Sequence, residues 1–227
     1  MRDMQTPAIE IETGPRPGAS IIVLHGLGAD GHDFVPVCEQ LDLRAAGAVR
    51  YVLPHAPKRP VTINGGAVMR AWYDILAMGG RGGEDEAGLR ASQVLVERLI
   101  AREVERGVPA SRIVLAGFSQ GCAMTLMTGL RHAQPLAALA GLSGYLPLAD
   151  RTADERTAQN QATPIFLAHG RFDPMIALPR ALASRDALMA LGYAVQWHEY
   201  TMEHSVCLEE IQHLNRFLLD VLKRDAD

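Results

Sequence analysis

Arg112-Ile113-Val114-Leu115-Ala116-Gly117-Phe118-Ser119-Gln120-Gly121-Cys122-Ala123-Met124-Thr125-Leu126-Met127 decides how this chain reads. Residues 112–116 form an apolar, partly β-branched run of the kind that makes a buried strand. Residues 122–127 are dense in good helix formers. Between them lies G-x-S-x-G, centred on Ser119. Strand, G-x-S-x-G and helix together describe a sharp turn that holds a serine in a strained conformation, its hydroxyl clear of the sheet edge. Glycine at 117 and 121 lets strand and helix approach closely.

A serine nucleophile needs a base, and the base needs an orienting acid. One common chain order is serine, acid, histidine. Five histidines follow Ser119: 132, 169, 198, 204 and 213. His132 lies too close to the serine helix to fold back. His169 ends an apolar run with no acid in place before it. His198 sits inside a strand-like stretch and His213 inside a helical one. His204 follows a strand and precedes a long amphipathic helix, so it falls on a loop. Asp173 lies just past the apolar run 164–168, and loops at strand C-terminal ends carry chemistry in open α/β sheets. Ser119, Asp173 and His204 are therefore the candidate triad. Ser205 reads as the N-cap of the last helix, whose positive end would disfavour a charged imidazole.

The negative oxygen formed during acyl transfer needs waiting donors. The N–H of Gln120, next to the serine, is one candidate. The strand Ala19 to Leu24 runs into His25-Gly26-Leu27-Gly28-Ala29-Asp30-Gly31, and the Leu27 N–H is the other. Gly26, Gly28 and Gly31 also match the spacing of a dinucleotide-binding loop. The acid that should follow about twenty residues on is missing, since the next strand ends in Pro54-His55-Ala56-Pro57.

Strands are expected near 20–25, 49–53, 112–117, 136–142, 164–169 and 193–201, and helices near 32–43, 89–106, 119–133, 178–191 and 205–223. This alternation predicts an α/β fold: one domain over residues 1–227, with a mostly parallel central sheet covered by helices on both faces. Helices 89–106 and 178–191 should stop at Gly107 and Gly192. Leu208, Ile211, Leu214, Phe217, Leu218, Val221 and Leu222 mark an apolar stripe on the last helix. Residues 79–86 are rich in glycine and acid and read as a surface loop, with a cover over the site as the alternative. Trp72 in Arg70-Ala71-Trp72-Tyr73-Asp74-Ile75-Leu76 either lines an acyl pocket or packs the core.

The 227 residues are 48% hydrophobic and carry a net charge of −4, enough for one sizeable core. Arg131, Arg151 and Arg156 are scattered and read as solvated; nothing basic clusters as nucleic-acid binding requires. No apolar run approaches a membrane span, the first residues lack a signal-like apolar stretch, and no lipidation motif is present. Cys38, Cys122 and Cys207 form no metal-type spacing, and Cys122 reads as a core residue. The expectation is a cytoplasmic enzyme with neither metal nor cofactor, and no nucleic-acid partner or stable membrane insertion.

At this point the chain resembles the phospholipase/carboxylesterase family, which includes small carboxylesterases and acyl-protein thioesterases. The matching segments are HGLGADGHDF (25–34), LPHAP (53–57), AWYDI (71–75), GFSQG (117–121), GLSGYLP (141–147), HGRFDP (169–174) and HSV (204–206). The resemblance implies an α/β-hydrolase fold without a large cap and a serine hydrolase that cleaves acyl esters, or thioesters, through Ser119, His204 and Asp173. It places oxyanion donors at Leu27 and Gln120 and implies no cofactor and a candidate homodimer. The activity expected is that of a carboxylesterase; lysophospholipase and protein depalmitoylase are the alternatives within the class. Outside it stand a ligand-binding receptor on the same fold and a scaffold recruiting partners through loop 79–86. Two departures bear on the acyl pocket, whose candidate walls are Trp72 and Met175: Met175-Ile176 is followed by Ala177, and Glu203 precedes the histidine. Ser143 in GLSG reads as structural.

Overall fold

Along the central strands, neighbouring side chains divide between two hydrophobic cores with a period of two, as a pleated sheet requires. Ile22, Leu24, Ile113, Leu115, Leu139, Ile165 and Leu167 enter one core. Ile21, Val23, Val114, Ala116, Ala138, Ala140 and Phe166 enter the other. A sheet apolar on both faces must be covered on both.

The computed structural model describes residues 7–77 and 83–223. The strands are β1 (Ala8–Glu12), β2 (Ala19–Leu24), β3 (Val49–Pro54), β4 (Lys58–Val61), β5 (Ala67–Arg70), β6 (Ile113–Phe118), β7 (Ala138–Leu142), β8 (Ile165–Gly170) and β9 (Val195–Tyr200). The α-helices are α1 (Val35–Gln40), α2 (Glu86–Glu105), α3 (Gln120–Gly129), α4 (Ala149–Glu155), α5 (Leu178–Ala190) and α6 (Leu208–Leu222). Seven strands pair in the order β1-β3-β2-β6-β7-β8-β9. β1 runs antiparallel to β3, and the remaining pairs are parallel. Residues of α2, α3 and α5 join the first core, and residues of α1 and α6 join the second. This is the α/β-hydrolase architecture, and no large cap domain appears among the described residues.

The expected α/β alternation is present, with differences of physical interest. β1 lies outside the expected strands. Its Ile9 and Ile11 pack on the second core, while Glu10 and Glu12 meet arginines. Arg106 lies 2.9 Å from Glu10, Arg50 lies 2.9 Å from Glu12, and Arg102 also pairs with Glu10. These charges dress an edge strand that would otherwise offer unpaired backbone. The hairpin β4–β5 also lies outside the expected strands. It forms a separate two-stranded sheet and carries Pro60 where a central strand could not. The expected helix 32–43 is instead a 3₁₀ turn, Gly31–Phe34, followed by the short α1.

Arg131 is not solvated. It is buried, with Nε 2.7 Å from Glu155 Oε2 and Nη1 donating to the Met127 carbonyl at 3.2 Å. Residues 79–82 of the glycine-rich loop lie outside the described residues. Beyond them Asp85 caps α2, accepting from the Gly88 N–H at 2.9 Å. Gly107 and Gly192 follow α2 and α5 closely, at φ of 93° and 83°.

Candidate active site

β6 ends at Phe118 and α3 begins at Gln120, so Ser119 alone makes the turn between strand and helix. Its φ of 55° and ψ of −115° lie in a region that side chains strongly avoid. The surroundings hold it there. The Ser119 N–H donates to the Leu142 carbonyl at 2.9 Å, which ties the turn to β7. A Cβ on Gly121 would stand 1.9 Å from the Leu24 carbonyl oxygen, and one on Gly117 would stand 2.3 Å from the Gly121 backbone. Any larger residue at either position would push α3 away from the sheet.

Asp173 follows β8, and its side chain is fully buried. One carboxylate oxygen, Oδ1, accepts from the N–H groups of Met175 and Ile176 at 2.8 and 2.9 Å. The other, Oδ2, lies 2.6 Å from His204 Nδ1. His169 props the same loop: its Nε2–H donates to the Ile176 carbonyl at 2.8 Å, and burial lowers its pKa. His204 sits after β9, with Nε2 2.9 Å from Ser119 Oγ. A carboxylate only accepts hydrogen bonds, so the His204 proton belongs on Nδ1 and Nε2 is left to take one from the serine. The three residues singled out from the sequence are thus joined in one chain of contacts. Ser205 is not a cap. α6 starts at Leu208 after Cys207, whose side chain makes no capping bond.

Leu27 and Gln120 both line the cleft beside Ser119. Neither of their N–H groups has an acceptor among the described residues. The loop that carries Leu27 is pinned at several points. The His25 ring accepts from the Ala56 N–H at Nε2, 3.0 Å, and donates from Nδ1 to the Gly26 carbonyl at 2.7 Å. Burial lowers the His25 pKa, which suits a ring that must keep one nitrogen unprotonated. Farther along, Asp30 accepts from the His32 N–H at 2.9 Å, and His55 Nδ1 accepts from the Gly31 N–H at 3.1 Å. Asp30, His32 and His55 are of metal-ligating type and lie close together, with His32 Nδ1 2.9 Å from Asp30 Oδ1.

The cleft has a volume of about 480 Å³. Its apolar walls include Ile63 and Met69 from the β4–β5 region, Ile75, Phe118 and Ile176. Met175 lines it too and is 58% exposed. Trp72 does not: it is fully buried in the first core, and the neighbouring Tyr73 lines the cleft instead. Tyr73 and Tyr145 share a hydrogen bond between their hydroxyls at 2.7 Å, and the Arg180 guanidinium lies 3.4 Å above the Tyr145 ring. No local pattern marks Tyr73, Tyr145 and Arg180 as neighbours, because they come from three separate segments. Of the two readings open for Trp72, core packing is the one the structure shows.

A serine hydrogen-bonded to an imidazole, an imidazole held by a buried carboxylate, and two free N–H groups beside an apolar cleft can carry acyl transfer. Comparison with known proteins agrees. The profile of the phospholipase/carboxylesterase family matches residues 5–222. Acyl-protein thioesterase 1 of Neurospora crassa is 41% identical over 230 residues, 97% of this chain and 94% of its own. The Yarrowia lipolytica protein of the same name is 37% identical, over 96% and 98%. Among solved structures, Arabidopsis thaliana SOBER1 superposes with a TM-score of 0.85 at 29% identity, covering 90% of this chain and 99% of that one. Zea mays acyl-protein thioesterase 2 gives 0.83 at 28% identity, covering 95% and 100%.

Proposed function

The chain belongs to the phospholipase/carboxylesterase family, and from that membership we propose a serine hydrolase in which Ser119 attacks the carbonyl of an acyl thioester or ester. His204 takes the serine proton as the C–O bond forms and returns it to the departing thiol or alcohol. Asp173 holds the imidazole and stabilises its charged form. The N–H groups of Leu27 and Gln120 receive the negative oxygen of the tetrahedral intermediate. Water then repeats the attack on the acyl-enzyme, with His204 again as base, and releases the acid.

The observation that carries this reading is the pair of contacts at His204, 2.9 Å to Ser119 Oγ and 2.6 Å to Asp173 Oδ2, at the wall of an apolar cleft. Within the class, a protein thioesterase is favoured over a small-ester carboxylesterase. Its support is the name shared by relatives at 41% and 37% identity over nearly the whole chain. Three free cysteines, two of them buried, suit a reducing cytoplasm, where we place it.

The test is covalent labelling at Ser119 by a fluorophosphonate, followed by a chain-length series of thioesters, oxygen esters and lysophospholipids. A long-chain thioester should give the highest kcat/KM. No labelling, or labelling that survives Ser119→Ala, would overturn the mechanism; a strong preference for short oxygen esters would return the substrate to that of a carboxylesterase.

A further inference from the structure

Trp72 lies outside the cleft, yet its hydrogen bonds reach Gln120 and the His25 end of the loop that carries Leu27. Its backbone N–H donates to Gln120 Oε1 at 2.7 Å. Its indole Nε1–H donates to the His25 carbonyl at 2.9 Å. Its own carbonyl accepts from the Ser92 hydroxyl on α2. The residue is wholly buried, and so is Ser92.

The two ends of this bridge matter because of what adjoins them. His25 is two residues before Leu27, and its ring fixes the Gly26 carbonyl and so the peptide that leads to the Leu27 N–H. Gln120 carries the other N–H, and its side chain is locked at both ends: Oε1 on Trp72, and Nε2 donating to the Tyr73 carbonyl at 2.7 Å. Loop 25–28 and the first residue of α3 belong to separate elements. Residue 72 ties them to one another and, through Ser92, to a twenty-residue helix.

We infer that Trp72 is a positioning residue that sets the distance between the Leu27 and Gln120 N–H donors. It touches neither substrate nor reacting atoms. This inference rests on the hydrolase reading above. Donors that stabilise a transition state act only if they wait in place, and a displacement of order 1 Å can cost about a hundredfold in rate. Loosening the bridge should therefore reduce stabilisation of the tetrahedral intermediate while leaving the acyl cleft, and so substrate binding, nearly as it was.

Trp72→Phe removes the indole N–H and keeps a ring in the core. Gln120→Met removes the carboxamide and keeps the backbone N–H, and it serves if the first variant folds poorly. Each is measured for melting temperature, fluorophosphonate-titrated active sites, kcat and KM on a p-nitrophenyl ester, and Ki for an alkyl boronic acid, whose tetrahedral adduct places an oxygen in the oxyanion site. Expected is a fall in kcat per titrated site of about ten- to a hundredfold, KM within about threefold, and a boronate Ki raised in step with the loss in kcat/KM. Folded variants that keep kcat and boronate affinity within about threefold of the parent would overturn the inference, as would a loss explained by fewer titratable sites. A parent that neither turns over esters nor takes the probe sinks the hydrolase reading and this inference with it; an active parent with indifferent variants sinks the inference alone.

Discussion

Asp173 Oδ2 lies 2.6 Å from His204 Nδ1, and Asp173 has no second orientation to offer, because its other oxygen is taken by the N–H groups of Met175 and Ile176. The carboxylate is held by its own loop before it holds the histidine. Asp173→Asn keeps the shape but places an NH₂ or a weaker acceptor against Nδ1, and either choice loosens control of the tautomer. A fall in kcat of about ten-thousandfold, about 5 kcal/mol of barrier, is expected with the fold retained. Steady-state kinetics beside a circular-dichroism melt check it; a loss of only severalfold would point to another acid.

Ser119 occupies a backbone conformation, φ 55° and ψ −115°, that glycine adopts at little cost. Ser119→Ala and Ser119→Gly should both lose turnover, since each lacks the attacking oxygen. Their stabilities should differ. Glycine relieves strain of about 1–3 kcal/mol against an entropic penalty of about 0.5–1 kcal/mol, so the glycine variant should be the more stable by about 1 kcal/mol. Urea midpoints of the two variants settle the comparison; an alanine variant at least as stable would mean the turn is unstrained.

Leu27 is proposed to act through its N–H alone. Leu27→Val keeps that donor, and kcat should stay within about threefold of the parent, a small part of the hundred- to thousandfold that a lost oxyanion donor costs. KM is free to change, because the side chain lines the cleft. A collapse in kcat for this swap would show that the loop, or the role assigned to it, has been misread.

The parts of this molecule legible in the sequence are those where local pattern and chemistry coincide. G-x-S-x-G between a β-branched run and a helix former run allowed few structures, and the geometry at Ser119 follows from the two flanking glycines. Asp173 and His204 could be reached by asking which loops end strands. What escaped depends on contacts made across the fold. Lys58-Arg59-Pro60-Val61 has no apolar alternation, so a hairpin there leaves no period-two signal. His25 precedes the serine and is excluded as a base by chain order; its part in the loop emerges only where Ala56 and Gly26 meet its ring. Trp72 and Tyr73 are adjacent and both join the first core, but only Tyr73 also lines the cleft, and composition cannot choose between them.

The stripe expected on α6 fails at one turn, and the failure has a measurable consequence. Leu208 is 61% exposed while Glu210, two residues on, is fully buried with neither carboxyl oxygen hydrogen-bonded among the described residues. Burial pushes the Glu210 carboxyl up to about 8, from an ordinary value of 4.5. Between those values the folded chain keeps a proton that the unfolded chain has released. Stability from this group is therefore present below about pH 4.5 and declines as pH rises through about 8, by at most about 1.4 kcal/mol per pH unit. Glu210→Gln has no proton to lose. It should melt close to the parent at pH 5 and several degrees above it at pH 9, and its stability should be flatter across that range. Melting curves at pH 5, 7 and 9 test this, and parallel profiles for parent and variant would mean that Glu210 ionises in place with a partner or solvent at hand.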